Sequence, residues 1–358
     1  MKNRKKILCI IGQLGNGGTE RQLQLFLKHL DKDIYDAQVL VSGKASGRWA
    51  EPISSMGVCI QELGNINAFN KLMKFRRIVS EFRPDIIFSW SFFTNAFSIA
   101  CHRIPFIGSL RGDLNAAQRN IGRPMWRLSL WPKRFIVNSN LLKAQLEEVG
   151  IKRERISVVP NIFDAASLPS NANDRERIRK RYSIPQGAKV VCGAGRDIPE
   201  KNLGLFIRVF KTLRDSDSSI YGFLLGSCAA TLQNKTREMG LTDFLFFPGE
   251  VNNPFEFLRA SDVFFLSSRT EGMPNIAIEG LYCGCRIASM DVGGISDIAE
   301  NNKNCDIKIF GQDSKENEIV SGIKKMIDSG KSSAESFNSK FYDPATVIKN
   351  YIQILEGI

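Results

Sequence analysis

The stretch Asp262-Val-Phe-Phe-Leu-Ser-Ser-Arg-Thr-Glu271-Gly-Met-Pro-Asn-Ile-Ala-Ile-Glu279-Gly280 reads as a buried strand, a glycine turn and the start of a helix. An apolar run without polar alternation suits a parallel strand covered on both faces. Gly272 permits a tight turn, and Pro274 suits the first helical position, where a missing N–H costs nothing. Backbone N–H groups at such a helix start can hold a phosphate. Glu271, beside the turn, can accept hydrogen bonds from polyol hydroxyls, and Glu279, further along the helix, can reach a second polyol such as a ribose. Another account stays open at this point: Glu271 stabilises the helix N-terminus and Glu279 is a solvated helical acid.

Short apolar runs alternate with helical patterns in both directions from this stretch, which predicts parallel sheets with helices on both faces. In the first half the strands are read at Lys6 to Gly12, Ala37 to Ser42, Cys59 to Leu63, Ile86 to Ser89, Phe106 to Leu110, Phe135 to Asn138 and Ile156 to Val159. Helices are read at Glu20 to Leu30 and Leu72 to Glu81. From Leu168 to Arg181, Pro, Ser and Asn give way to dense charge, as in a linker running into a helix. A second series of strands follows at Lys189 to Gly193, Tyr221 to Leu225, Phe244 to Phe247, Asp262 to Leu266, Arg286 to Met290 and Asp306 to Ile309. The expected fold class is α/β, two doubly wound domains of Rossmann type, with ligand at the strand C-terminal edges in a cleft between them. The boundaries read as 1–167 for the first domain, 168–343 for the second and 344–358 for a C-terminal helix.

A chain of 358 residues is long for one core, which agrees with two domains. The eight cysteines are scattered through apolar segments with no Cys-x-x-Cys pair, so reduced thiols in a cytoplasmic setting are expected rather than a disulfide framework or a zinc site. His29 and His102 stand alone in the sequence, which argues against a histidine-rich metal centre. The basic start Met1 to Lys6 followed by Ile7-Leu-Cys-Ile-Ile is too short an apolar run for a signal peptide, and it reads as the first strand. Ile86 to Leu110 is the most apolar stretch, but polar residues interrupt it before it could span a bilayer.

The net charge is +12, and residues 1–170 hold 25 Lys plus Arg against 13 Asp plus Glu, whereas residues 171–358 hold 24 against 24. The whole excess therefore lies in the first half, in clusters at Lys2 to Lys6, Lys71 to Arg77 and Arg119 to Arg134. Pro124-Met-Trp-Arg-Leu-Ser-Leu-Trp-Pro-Lys-Arg134 mixes two tryptophans with basic residues, as an interfacial segment would, or as a partly buried helix with a solvated basic face would. An anionic membrane surface or an anionic acceptor fits this half, and no recognition motif for nucleic acid accompanies the charge.

Three further segments follow strands. Gly12-Gln-Leu-Gly-Asn-Gly-Gly18-Thr-Glu-Arg21 is a glycine-rich turn opening a helix, although its spacing is not a dinucleotide fingerprint. Gly195-Arg-Asp-Ile-Pro-Glu-Lys-Asn202 opens the helix Leu203 to Leu213, and Arg196 and Lys201 can converge on one diphosphate. Asp291-Val-Gly-Gly-Ile-Ser-Asp297 is another strand-end turn. Taken together, the four resemble the glycosyltransferase 4 family, retaining sugar-nucleotide enzymes of the GT-B fold. The resemblance covers nearly the whole chain and is strongest from Gly193 to Glu300, where the family's acid pair, Glu followed by seven residues and a second Glu, fits Glu271 and Glu279. Val158-Val-Pro-Asn-Ile-Phe-Asp164 matches the family's hinge-proximal motif, with Ile162 where Gly is usual.

The resemblance implies a transferase moving a sugar from a UDP- or GDP-linked donor to a glycan or lipid-linked acceptor, in surface polysaccharide synthesis, without metal or cofactor. Arg196 and Lys201 would neutralise the donor diphosphate, and Glu271 would bind the donor sugar. Gly272, Met273, Pro274 and Asn275 would lie near the sugar and β-phosphate, Glu279 would hold the ribose, and Gly17 and Gly18 would approach the phosphates. Many members carry a histidine after the strand equivalent to Phe106 to Leu110, and here Arg111 stands in its place, as a sugar, phosphate or acceptor contact or in a salt bridge with Asp113. Asp31-Lys-Asp33 and Asp215-Ser-Asp217 match the metal-holding Asp-x-Asp pattern of the other large glycosyltransferase fold, but both lie at helix ends and read as turn acids. A sugar-nucleotide epimerase, a non-catalytic donor-binding subunit and a nicotinamide oxidoreductase remain as alternatives.

Overall fold

A computed structural model describes residues 4–101, 103–168, 173–228, 230–329 and 334–357. His102, Lys2 and linker positions 169–172 lie outside the described residues. The chain divides into two compact units, Met1–Asp164 with Lys340–Ile358, and Ala165–Ser339.

The first unit is a seven-stranded sheet built from β1 (Lys5–Ile11), β2 (Tyr35–Val41), β3 (Cys59–Glu62), β4 (Ile86–Ser89), β5 (Phe106–Leu110), β6 (Arg134–Val137) and β7 (Ile156–Val158). The order is β3-β2-β1-β4-β5-β6-β7, and every pairing is parallel. In β1 the residues alternate between two cores: Ile7, Cys9 and Ile11 face Phe26 and Val39, while Leu8 and Ile10 face Phe75, Ile78 and Phe82. Both faces are thus covered by helices, which is why these strands read as unbroken apolar runs. The C-terminal helix Pro344–Glu356 contributes Val347, Tyr351 and Leu355 to the first of these cores, so it is a structural part of this unit.

The second unit has six parallel strands, β8 (Lys189–Ala194), β9 (Ile220–Leu225), β10 (Leu245–Gly249), β11 (Val263–Leu266), β12 (Arg286–Met290) and β13 (Ile307–Phe310), ordered β10-β9-β8-β11-β12-β13. In each unit the order reverses once, between β1 and β4 and between β8 and β11. Such a switch point opens a crevice at the strand C-terminal ends, where open α/β sheets bind ligands.

Three stretches take definite form in the structure. The apolar stretch Ile86 to Leu110 is β4, a 3₁₀ segment Phe92–Ala100 and β5; among the described residues no helix is long and apolar enough to cross a membrane. The basic segment forms two short helices, Leu114–Ile121 and Arg123–Ser129. The charged helix Asp174–Arg181 is docked on the second sheet: Asp262 pairs with Arg175 (2.7 Å) and Arg179 (3.0 Å) and accepts the Val190 N–H at 2.8 Å. Asp174 pairs with Arg177 (2.6 Å) and Arg259 (2.7 Å).

Candidate functional site

The turns after β8 and β11 flank the switch point of the second unit, and three bonds tie them together. The Arg269 N–H donates to the Glu200 carbonyl at 2.7 Å, the Ser267 hydroxyl donates to the Lys201 carbonyl at 3.0 Å, and Lys201 Nζ lies 2.6 Å from Glu271 Oε1. Ser268 Oγ donates to the same Oε1 at 2.7 Å. Glu271 is thereby held at one oxygen, and its Oε2 makes no hydrogen bond among the described residues. The Lys201 and Glu271 side chains are 25 % and 15 % exposed, so the pair is accessible but largely out of bulk water.

Glycine conformation brings the neighbouring turns equally close. Gly293 has φ +49, and a Cβ there would overlap the carbonyl oxygens of Glu271 and Gly272; the next residue, Gly294, donates its N–H to the Gly272 carbonyl at 2.6 Å. Gly226, with φ +107, packs in the same way on the Gly195 carbonyl. Both positions combine a left-handed backbone with a contact that leaves no room for a side chain. The turns after β8, β9, β11 and β12 are therefore joined into one rim.

None of the helices that follow the four motif turns has a side-chain N-cap: Gly17, Asn202, Pro274 and Gly294 occupy those positions. Pro274 is the cap itself, one position earlier than read, and Asn275 begins the helix. Gly272, Met273 and Pro274 are buried beneath the rim and Asn275 is half-buried. Glu279 is 2 % exposed, which overturns the solvated-acid account of this residue. Arg196 is exposed, and its guanidinium makes no ion pair or hydrogen bond among the described residues. Lys201 is drawn to Glu271 instead of pairing off beside Arg196, so the two cations differ in their present company.

In the first unit, Gly17 caps the helix Gly18–His29, and the Glu20 carboxylate folds back against Gly17 where a Cβ would stand. Arg111, just past β5, makes no salt bridge with Asp113. Asp113 instead caps the helix Leu114–Ile121 through the Ala116 N–H (2.7 Å) and accepts from Gln145 at 2.7 Å. The Arg111 guanidinium stacks on Trp90 at 4.2 Å from the ring centroid and donates to the Tyr351 hydroxyl at 2.7 Å. Its Nε and Nη1 are buried without a hydrogen-bond partner among the described residues.

Sequence reading missed one constellation. Asp164 accepts from Lys28 (2.7 Å) and from His29 Nε2 (2.8 Å), and Gln22 exchanges two hydrogen bonds with Ile162, at 3.0 and 2.6 Å. The hinge-proximal peptide is thus fastened to the first helix. His29 seemed solitary because its acid lies 135 positions away.

Two doubly wound parallel units, the second with a phosphate-type turn and an acid–cation pair at its switch point, define the architecture of the GT-B transferases. Family matches run along both: "Glycosyltransferase Family 4" over residues 16–167 and "Glycosyl transferases group 1" over residues 174–340. The chain is 28 % identical over 274 residues to the lipopolysaccharide core biosynthesis glycosyltransferase LpsD of Rhizobium meliloti, covering 75 % of this chain and 73 % of that one. It is 24 % identical over 317 residues to the capsular polysaccharide biosynthesis glycosyltransferase CapH of Staphylococcus aureus, covering 85 % and 86 %. Anabaena HepE, solved in complex with UDP, superposes with a TM-score of 0.83 at 17 % identity over 99 % of this chain and 100 % of that one, a likeness of fold. The protein belongs to the group 1 glycosyltransferases of family 4 type, and by class it is a hexosyltransferase.

Proposed function

We propose that the protein transfers a hexose or N-acetylhexosamine, with retention, from a UDP- or GDP-sugar to a glycan or lipid-linked acceptor in surface polysaccharide synthesis. The observation that carries this reading is the Lys201–Glu271 pair, bonded at 2.6 Å across the switch point of the second unit. Glu271 Oε2 accepts hydroxyls of the donor sugar, while Lys201 balances the carboxylate and, with the uncommitted Arg196, meets the charge that develops on the departing diphosphate. Preorganised cations of this kind supply electrostatic stabilisation without a metal or cofactor. In the step itself the bond from the anomeric carbon to the β-phosphate oxygen breaks, and a bond to the acceptor oxygen forms on the same face. The acceptor's proton passes to the departing phosphate oxygen. Glu279 and the Gly272 to Asn275 turn bind the nucleoside diphosphate. The work on LPS core and capsule stated in the names of the relatives supports the surface-polysaccharide assignment.

The basic excess of the first half supports peripheral attachment to an anionic cytoplasmic membrane face. Two measurements test the reading. A panel of UDP- and GDP-sugars should include one that raises the melting temperature, because a ligand bound only by the folded state stabilises it. That donor should release its nucleotide slowly, in the presence of EDTA as in its absence. Epimer formation without nucleotide release, or a hydride-linked absorbance change, would sink the proposal. Attachment predicts salt-sensitive flotation with anionic liposomes that weakens when Arg123, Arg127, Lys133 and Arg134 are neutralised.

A further inference from the structure

The first unit has a cavity of about 420 Å³ at the N-terminal edge of its sheet, the edge opposite the switch-point crevice. Pro84 and Ile104, which precede β4 and β5, line it. Arg76, Ser80 and Arg83 line it as well, following one another at helical spacing through the last turns and the C-cap of the helix Ala68–Phe82. Most of the remaining lining is apolar, and Phe75 and Cys101 are buried beneath.

The charge of this cavity is uncompensated. Arg76 and Arg83 are exposed, and neither guanidinium makes an ion pair or hydrogen bond among the described residues; the Ser80 hydroxyl is equally uncommitted. The acids closest in sequence are engaged elsewhere, Glu81 with Arg77 at 3.6 Å and Asp85 with the Lys6 N–H at 2.7 Å. No carboxylate among the described residues lines the cavity. Burial pushes the Cys101 thiol up and Arg76 pulls it back, so the Arg76 charge acts on the cavity wall. Arg83 is unusual in its backbone too. With φ 52 and ψ 62 it forms a left-handed cap of the kind glycine usually supplies. Cations near a helix C-terminus offset its negative pole, which accounts for one arginine there but not for a cavity lined by two. An arginine held in a costly conformation with its side chain on that cavity points to a role for the guanidinium.

We infer that this cavity is a second anion site, which binds a phosphate group carried on a small polar body. Arg76 and Arg83 supply the charge and Ser80 a further hydrogen bond. Two guanidinium forks and a hydroxyl suit the several oxygens of a phosphate better than the two of a carboxylate. The volume lies in the range of small-molecule pockets, roughly 300–1,000 Å³, so the phosphate comes attached to a body and not as a bare ion. A soluble sugar phosphate and a phosphoglycerol headgroup of a lipid present the same group. The site stands apart from the transferase reading, because it uses none of the residues placed at the donor and opens at the other edge of the sheet.

The test uses the full-length protein, with glucose 6-phosphate as the soluble probe and glucose as its uncharged control. Binding is followed by calorimetry with UDP present, so that the donor crevice is not the site being read. The wild type should bind glucose 6-phosphate at least about tenfold more tightly than glucose, the scale of one charge-assisted contact. Arg83→Gly keeps the left-handed turn and removes the guanidinium, so it should hold or raise the melting temperature while weakening the probe about tenfold. Arg76→Gln should weaken it similarly. Arg77→Gln makes the same charge change outside the cavity and should leave affinity as it was. Flotation with phosphatidylglycerol vesicles, against phosphatidylcholine vesicles, reads the lipid source on the same variants. A loss confined to the cavity arginines in calorimetry assigns the site to a soluble phosphate, and one seen only in flotation assigns it to a headgroup; either supports the inference. A wild type that binds neither probe nor vesicle overturns it, as does indifference of both readouts to Arg76→Gln and Arg83→Gly. An equal effect of Arg77→Gln would reduce the site to general positive charge, and displacement of the probe by added UDP would place it at the donor; both overturn the inference too. Failure to bind any sugar nucleotide would sink the transferase reading by a separate measurement and leave this one standing.

Discussion

Lys201 and Glu271 are seventy positions apart in sequence and 2.6 Å apart in space, and their reciprocity changes what a substitution at either should do. Lys201→Ala leaves an uncompensated, largely shielded carboxylate, and Glu271→Ala leaves an uncompensated ammonium. Each is expected to lower nucleotide release at saturating donor by about 10²-fold, the usual cost of one preorganised charge partner, and the double variant should cost less than the two combined. Turnover measured across that mutant cycle checks it, and strict additivity would mean that the two act separately. Glu279→Gln should raise the donor KM more than it lowers kcat. Thiols give a second check at this scale. Burial pushes the Cys9 and Cys101 thiols up to about 12 and Cys228 up to about 11, so all three stay protonated at pH 8, while Cys59 is exposed. Since the thiolate is the nucleophile, mild alkylation at pH 8 followed by peptide mapping should find Cys59 modified first. Arg111 shows where residue-level reading falls short: its neighbours Trp90 and Tyr351 come from a different strand end and from the last helix.

Elements place these side chains through a few close contacts. The helix Asp174–Arg181 is fixed to the second sheet by Asp262, which heads β11 and so sets the start of the strand that carries Glu271 at its far end. The Asp262 and Arg179 side chains are 8 % and 7 % exposed, and removing one partner of such a buried pair costs about 3–5 kcal/mol. Asp262→Ala should therefore lower the denaturant midpoint strongly, whereas Asp215→Ala, in an exposed pair with Lys211, should leave it almost where it was. Gly293→Ala acts on a turn alone. Its Cβ would push the turn after β12 away from Glu271 and Gly272, so the donor KM should rise while the fold persists. The strands themselves were legible because short apolar runs, each closed by turn residues and alternating with helical patterns, are all buried at once only in a parallel sheet covered by helices. The Phe92–Ala100 segment was not, since a single short apolar run has the same appearance in a strand, a helix or a 3₁₀ turn.

At the scale of the molecule, the last helix belongs to the first unit's core rather than acting only as a tether. Val347, Tyr351 and Leu355 are almost wholly buried there, and Tyr351 packs within 5.3 Å of the Phe26 ring centroid. Each such side chain contributes about 1.5–3 kcal/mol by burial. Deleting residues 344–358 is thus expected to unfold the first unit while the second retains its own core, seen as loss of one of two transitions in calorimetry. A single cooperative loss of both would show that the two do not fold independently.

Several conclusions belonged to the sequence by itself: two parallel α/β halves, the four strand-end turns, the acid pair and the family. Periodicity, glycine turns and short spacings are local, and a local signal survives in one dimension. The tertiary structure alone decided that Lys201 grips Glu271, that Glu279 is buried, that Asp262 gathers two arginines and that Arg111 stacks on Trp90 instead of pairing with Asp113. Those facts depend on which strands become neighbours at a switch point and which helices cover them. Parallel pairing through long crossovers brings together residues whose separation along the chain carries no trace of the contact.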